Sequence, residues 1–265
     1  MQTYEHLEVV QDEKILWVTL NRPESANAFS IPMLKNLVTV FKWAQEEESV
    51  QVVILTGKGK FFCAGGDVKD MQEKKGLFAG EPQELEKTYR DIVHPVAKTM
   101  LNFTKPLIAM VNGPAVGAGL DLLCACDMRI ASQNAIFGET FVKIGLLSGF
   151  GGAYLLSKIV GLSKAKEMAF TGKIYKAEEA FDMGLILKIC SEALLKERTR
   201  DMAMLIAGQA PLAVQATKKA FLSLQNFDQH LEKVGTLQAQ LHGTLDHAEG
   251  VLSFLEKRPP HFHGK

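Results

Sequence analysis

The stretch NGPAVGAGLDLLCACDMRIAS, Asn112 to Ser132, sets Gly113, Gly117 and Gly119 ahead of a single carboxylate, Asp121, and an apolar run. A glycine turn that opens a helix leaves backbone N–H groups without intrahelical partners, at the positive end of the helix dipole. Two ligand chemistries use such a turn. Phosphate binding fits poorly, because a P-loop requires G-x-x-x-x-G-K-[ST] and no lysine follows here. The G-x-G that starts at Gly117 meets Leu122 where a third glycine belongs. The second chemistry is stabilisation of charge developing on a carbonyl oxygen. Asp121, one helical turn past the glycines, then stands as a base for a proton beside that carbonyl. An acid in the first turn also complements the dipole with no chemistry at all, and by residue type alone that structural reading is the commoner one.

A second corner has the same plan. VVILTGKGKFFCAGGDVKDM and PLIAMVNGPAVGAGLDLLCA each run from an apolar strand through a glycine turn to an Asp, Asp67 or Asp121, where a helix should begin. If the two strands are neighbours, the turns face one point and supply two N–H donors, which is an oxyanion hole. Cys63 lies beside the first turn with Phe61 and Phe62 before it and no histidine near, so it reads as a structural thiol. His6, His94, His230, His242 and His247 sit in separate segments without catalytic spacing, and the terminal H-x-H in HFHGK reads as a frayed or docked end.

Positioning these residues calls for an α/β architecture, and the chain carries its pattern. Ile15 to Leu20 reads as a buried strand ended by Asn21 and Pro23. Ser30 reads as an N-cap, with Ile31, Leu34, Leu37, Val38 and Phe41 at helical spacing behind it. VVILTG, PLIAMV and MRIAS are further short strands alternating with helices. After Ile189 the texture becomes helical, which places a soft boundary near Ser191: residues 1–190 as the core and 191–265 as a helical C-terminal region. In the latter, Asp246 and Glu249 resemble a capping box.

Bulk composition narrows the partners. The chain has 265 residues, 47% hydrophobic, with 30 basic and 30 acidic side chains, a balance that removes the electrostatic case for nucleic acid or an anionic membrane. Four scattered cysteines, Cys63, Cys124, Cys126 and Cys190, suggest reduced thiols. The C-x-C pair lies in an apolar run and reads as buried small hydrophobes rather than a metal site. No segment has the character of a signal peptide, a transit peptide or a membrane span, so a cytoplasmic location is expected.

FFCAGGDVKDM, PLIAMVNGPAVGAGLDLLCACDMRIAS and FGETFVKIGLLSGFGG together resemble the enoyl-CoA hydratase/isomerase (crotonase) superfamily, as do LNRPESANAFS and FTGKIYKAEEAFDMGLILKI. The resemblance covers nearly the whole chain, in order, but one oxyanion hole serves many reactions in this family. It implies a spiral of ββα units, C-terminal helices that assemble trimers or hexamers, and an acyl-CoA thioester substrate. It implies oxyanion-hole donors at Gly66 and Ala118 and a CoA and acyl path along Gly66, Asp67, Val68 and Lys69, with Ala64 nearby and Ala26 near the adenine. Phe262 and Lys257 in the tail reach toward CoA, of this or a neighbouring subunit. No metal or redox cofactor is implied, since CoA arrives with the substrate.

Three positions depart from the family pattern. Ala118 replaces a common glycine and still offers its N–H unless the turn needs positive φ. Asp121 stands where hydratases carry their first glutamate. The second hydratase glutamate aligns with Phe141, assigned to the acyl pocket, while Glu139, two residues earlier, is expected to face elsewhere. The site used for an acid by some isomerases aligns with Gly149. With one carboxylate left, the expectation is proton shuttling by Asp121 through a thioester enolate, hence double-bond isomerisation. The alternatives are hydration of a 2-enoyl-CoA and, from another class, a non-catalytic acyl-CoA-binding subunit. RNA binding, known in the superfamily, finds no basic run here.

Overall fold

The computed structural model describes residues 4–221, 238, 240–241 and 243–265. Its framework is a six-stranded sheet built from β1 (Leu7–Asp12), β2 (Ile15–Leu20), β3 (Val52–Gly57), β4 (Leu107–Val111), β6 (Met128–Ser132) and β9 (Lys188–Cys190), hydrogen-bonded in that order. β1 pairs antiparallel to β2, and every other neighbour is parallel. A three-stranded sheet of β5 (Ala115–Val116), β7 (Ile136–Gly138) and β8 (Tyr175–Lys176) sits beside it.

The parallel strands are apolar on both faces because helices cover both. Alternate side chains go to opposite sides. Leu16, Val18, Leu20, Val53, Leu55, Leu107 and Ala109 join one core cluster. Ile15, Trp17, Val52, Ile54, Ile108 and Ile130 join the other. On the first side lies α1 (Ile31–Glu46), which begins where Ser30 Oγ accepts the Met33 N–H at 3.2 Å. It buries Met33, Leu34, Leu37, Val40, Phe41 and Ala44, a stripe at the helical period. Three short helices follow β3: α2 (Val68–Glu73), α3 (Pro82–Thr88) and α4 (His94–Asn102), with a π-helical turn at Tyr89–Val93 leading into α4. α5 (Ala118–Cys124) follows β5, and α6 (Gly152–Val160), α7 (Leu162–Thr171) and α8 (Ala177–Asp182) lie between β7 and β9.

The other side of the sheet is closed by α9 (Glu192–Ala207), whose Leu195, Ala203 and Ala207 belong to the second cluster. The helices after Ser191 therefore begin by completing the sheet's own core. α10 (Pro211–Phe221) and α11 (Leu245–Glu256) follow. The helical reading of the segment between Phe227 and His242, with His230 and His242, falls outside the described residues apart from three positions. Asp246 and Glu249 do not form a capping box. Thr244 Oγ1 accepts the His247 N–H at 3.1 Å, while Asp246 accepts the N–H groups of His263 and Gly264 at 2.7 and 2.8 Å. Glu249 binds Arg258 and the His261 N–H, so both acids dock the C-terminal tail. All four cysteines are buried and unpaired. Among the described residues no helix is long and apolar enough to cross a membrane, and no three His, Cys, Asp or Glu side chains come together as a metal site needs.

Candidate active site

The two glycine corners leave neighbouring strands, β3 and β4, and are zipped together. The Phe62 and Cys63 N–H groups both donate to Pro114 O at 3.1 Å, and the Val116 N–H donates to Cys63 O at 3.1 Å. This contact tolerates no side chain at Gly119, where a Cβ would overlap the Cys63 carbonyl. Gly65 adopts φ +82°, and a Cβ there would stand 2.7 Å from Ala118 N. The Gly66 and Ala118 corners thus meet. Among the described residues neither the Gly66 nor the Ala118 N–H has a protein acceptor, and both residues line one small cavity of about 40 Å³. Ala118 is the first residue of α5, and the positive φ of this turn falls on Gly117 at +54°. An alanine therefore fits at 118 without strain.

The remaining cavity wall is apolar and largely aromatic: Phe29, Phe78, Phe141 and Phe150, with Tyr89, Met71 and Leu146. Gly66 is packed beneath Met71 and Phe78, both of which a Cβ would strike. Gly149 lies against the Tyr89 ring in the same way, so a tyrosine stands where an acid side chain at 149 would project. Phe141 is in the acyl-side wall, as expected.

Behind that wall lie two carboxylates. Asp121, one turn into α5, is 0% exposed, and Glu139 is 3% exposed. The expectation that Glu139 faces elsewhere fails: positions two apart in an extended segment share a face, and Glu139 lies against Asp121. β7 stops at Gly138, and Glu139 takes φ −85° and ψ 76°, which turns its side chain off the pleat and toward Asp121. Gly152 makes room for the pair, since a Cβ there would overlap both Asp121 Oδ1 and Glu139 Oε1. Ser148 Oγ donates to Asp121 Oδ2 at 2.6 Å. Asp121 Oδ1 and Glu139 Oε2 have no other fixed partner among the described residues; the hydrogen bond open to the pair is the one a shared proton makes.

Burial raises the proton affinity of both groups, and mutual repulsion raises it further for Glu139. Asp121 is pushed up to about 6 and Glu139 to about 9. These steps belong to the pair, which near neutrality holds one proton and one charge. The clue in the sequence was Glu139's isolation. It is the one acid between Asp127 and Glu167, set in an apolar segment directly after a glycine.

The other expected site residues divide. Ala26 and Ala64 are brought together, the Ala64 N–H donating to Ala26 O at 3.0 Å. Asp67 is the N-cap of α2, accepting the Lys69 N–H at 3.1 Å and lying 3.5 Å from an Arg22 guanidinium nitrogen. Val68 and Lys69 are exposed on that helix. Cys63 is fully buried, its thiol pushed up to about 12 by desolvation, so it is no nucleophile at neutral pH. Phe262 lines a separate apolar groove with Leu205, Val214 and Phe221.

Paired backbone donors at one end of an apolar cavity, with a buried acid–base pair behind them, define a site for enolate chemistry on a polarised carbonyl. The comparisons agree. The enoyl-CoA hydratase/isomerase family model matches residues 11–265. The 2,3-dehydroadipyl-CoA hydratase of Escherichia coli K12 is 35% identical over 259 residues, covering 97% of this chain and 98% of that protein. The trans-2-decenoyl-[acyl-carrier-protein] isomerase of Streptococcus mutans is 31% identical over 260 residues, 96% of each. A crystal structure of enoyl-CoA hydratase from Bacillus anthracis superimposes with a TM-score of 0.93 at 30% identity, covering 98% of this chain and 100% of that one. The chain belongs to the enoyl-CoA hydratase/isomerase family, has the crotonase fold, and is an acyl-CoA enzyme of that type.

Proposed function

We propose that the protein adds water across the double bond of a 2-enoyl-CoA, and the observation that carries this reading is Glu139 lying against Asp121. A single acid favours isomerisation, but two carboxyls that share one proton supply both a base and an acid. Ionised Asp121 takes a proton from water as the hydroxide oxygen bonds to C3. The C2=C3 electrons move toward the thioester, whose oxygen takes up negative charge between the Gly66 and Ala118 N–H groups. Protonated Glu139 then delivers its proton to C2, and transfer from Asp121 to Glu139 restores the pair. Removal of one oxyanion donor costs about 2.7–4 kcal/mol of transition-state stabilisation in comparable sites.

Substrate has to part Met71 and Phe78 from Gly66, because a cavity of about 40 Å³ holds no more than a few waters and no acyl group. CoA arrives with the substrate, and no further cofactor enters this scheme. A second reading, isomerisation of a 3-enoyl-CoA, draws support from the aromatic cavity, which is a dry setting for a proton shuttle. The test gives purified protein a 2-enoyl-CoA and a 3-enoyl-CoA separately and follows conjugated thioester absorbance and 3-hydroxyacyl product. Hydration of the first ester supports the proposal. Isomerisation of the second with no hydration of the first replaces it by the shuttle. Assembly as a trimer or a dimer of trimers and a cytoplasmic location complete the reading. Sedimentation showing only monomer at micromolar concentration removes the assembly.

A further inference from the structure

We propose that Ser148 is a positioning residue that holds the negative charge of the carboxyl pair on Asp121 and thereby leaves the transferable proton on Glu139. The inference rests on the acid–base pair described above and assigns each member its role. Its ground is the hydrogen-bond inventory of one hydroxyl. A serine Oγ has one proton to donate and two lone-pair positions to accept with. Both acceptor positions of Ser148 are filled by backbone N–H groups, from Gly151 at 3.2 Å and Gly152 at 2.7 Å. An N–H can only donate, so the hydroxyl proton has one remaining direction, Asp121 Oδ2 at 2.6 Å. Oδ2 therefore accepts, and because a hydrogen bond to an ionised oxygen is stronger than one to a neutral carboxyl, this bond favours the charge on Asp121 over Glu139.

The loop is built to enforce this. Gly151 adopts φ +105°, a conformation side chains rarely take, and Gly152 is the position where a Cβ would displace both carboxylates. Gly151 is also the N-cap of α6, so Asp121 meets the positive end of that helix as well. Glu139 has no such support. Its Oε2 lacks a partner among the described residues, and its proton affinity is raised by burial and by the Asp121 charge. The titratable groups that face the pair are its own two members and the buried Cys124 thiol of α5. Among the described residues no lysine, arginine or histidine acts on either carboxyl. One hydroxyl therefore decides the asymmetry. Sequence reading passed over Ser148 because a lone serine in a glycine-rich loop looks like turn chemistry.

The experiment reads the proton in the free enzyme, so it stands apart from which reaction the enzyme performs. Infrared spectra near neutral pH are recorded on protein carrying ¹³C-carboxyl glutamate or ¹³C-carboxyl aspartate. The protonated-carboxyl band is expected to shift with the glutamate label, to ignore the aspartate label, and to vanish in Glu139→Gln. In Ser148→Ala the band is expected to respond to both labels, and the acidic limb of the pH–kcat profile to move upward by about one to two pH units, the size of losing a hydrogen bond to a charged group. KM should move less than kcat. Ser148→Thr keeps the hydroxyl and should restore the wild-type pattern. Ser148→Cys, a weaker donor of similar size, should shift it in the direction of Ala and replaces the Ala variant if that one does not fold. A wild-type band that follows aspartate overturns the proposal. So does a folded Ser148→Ala or Ser148→Cys with unchanged labels and profile.

Discussion

Asp67 and Asp121 occupy equivalent places in two corners of the same plan, yet their surroundings differ in every respect that decides chemistry. Asp67 caps a six-residue helix with no buried residue, and each of its oxygens faces a donor, the Lys69 N–H and the Arg22 guanidinium. Asp121 sits within a helix buried almost throughout and, among the described residues, leaves Oδ1 with no partner but Glu139. A carboxylate whose lone pairs are all satisfied is held by the fold. One whose lone pair is withheld from solvent and left open is available to a proton. Residue type is the same, and the difference lies in where each acid falls on its helix and in what the next segments of chain bring to each corner.

The comparison is broken most severely at Asp121 and Glu139. Asp121→Asn keeps the shape and the Ser148 hydrogen bond but removes the base, and kcat should fall about 10²- to 10⁴-fold. Glu139→Gln removes the acid and should cost a similar factor. Steady-state assays on the preferred enoyl-CoA check both, with circular dichroism to confirm folding. A Glu139→Gln enzyme of wild-type rate would return the site to a single acid.

Next comes the donor from the first corner. Gly66→Pro deletes one oxyanion N–H, and turnover should fall about 10²- to 10³-fold. Part of any loss will be steric, since Gly66 lies under Met71 and Phe78. Folding, and affinity for a non-reacting acyl-CoA, therefore need measuring beside rate. A folded, fully active Gly66→Pro enzyme would contradict the hole.

The same difference has a thermodynamic signature. Both members of the buried pair bind protons more tightly folded than unfolded. A group with a raised folded-state pKa contributes stability that is complete below its unfolded value, near 4, and is lost as pH rises through the folded value. The window here runs to about 6 for the first step and about 9 for the second. Glu139→Gln removes the second ionisation, so its Tm should exceed the wild-type value by a growing margin between pH 6 and 9. That margin should reach several degrees, because 1 kcal/mol shifts Tm by about 2–4 °C in a domain of this size. Parallel melting curves across that range would show the pair to be uncoupled from folding.

Most of the framework was legible because it rests on local rules. β2 spans the expected Ile15–Leu20, the Ser30 cap holds, and the neighbouring strands β3 and β4 bring the two corners together as their shared plan required. Half of the acid–base pair was not legible. Period-2 spacing puts Glu139 on the same face as Phe141 in an extended segment, but nothing local shows that the segment after Gly138 brings it against Asp121. Ser148 and Gly152 were invisible for a related reason. Their contacts to Asp121 span 27 and 31 positions of chain and depend on how α6 docks on α5.

The smallest effect falls on Asp67 and draws the sharpest line between the corners. Asp67→Ala removes an N-cap acceptor and the partner of Arg22, two side chains only 12% and 14% exposed. The cap alone is worth about 0.5–2 kcal/mol, so chemical denaturation should show a loss in that range or slightly above it. Asp67→Asn keeps an oxygen for the Lys69 N–H and should recover most of it. Because Asp67 adjoins Gly66 on the expected CoA path, a loosened α2 should raise KM. The proton-transfer pair on the other corner is untouched, so kcat should fall by less than tenfold. If Asp67→Ala instead lowered kcat as far as Asp121→Asn, with KM unchanged, the satisfied carboxylate would be acting in the chemical step, and an unpartnered lone pair would no longer separate the two aspartates.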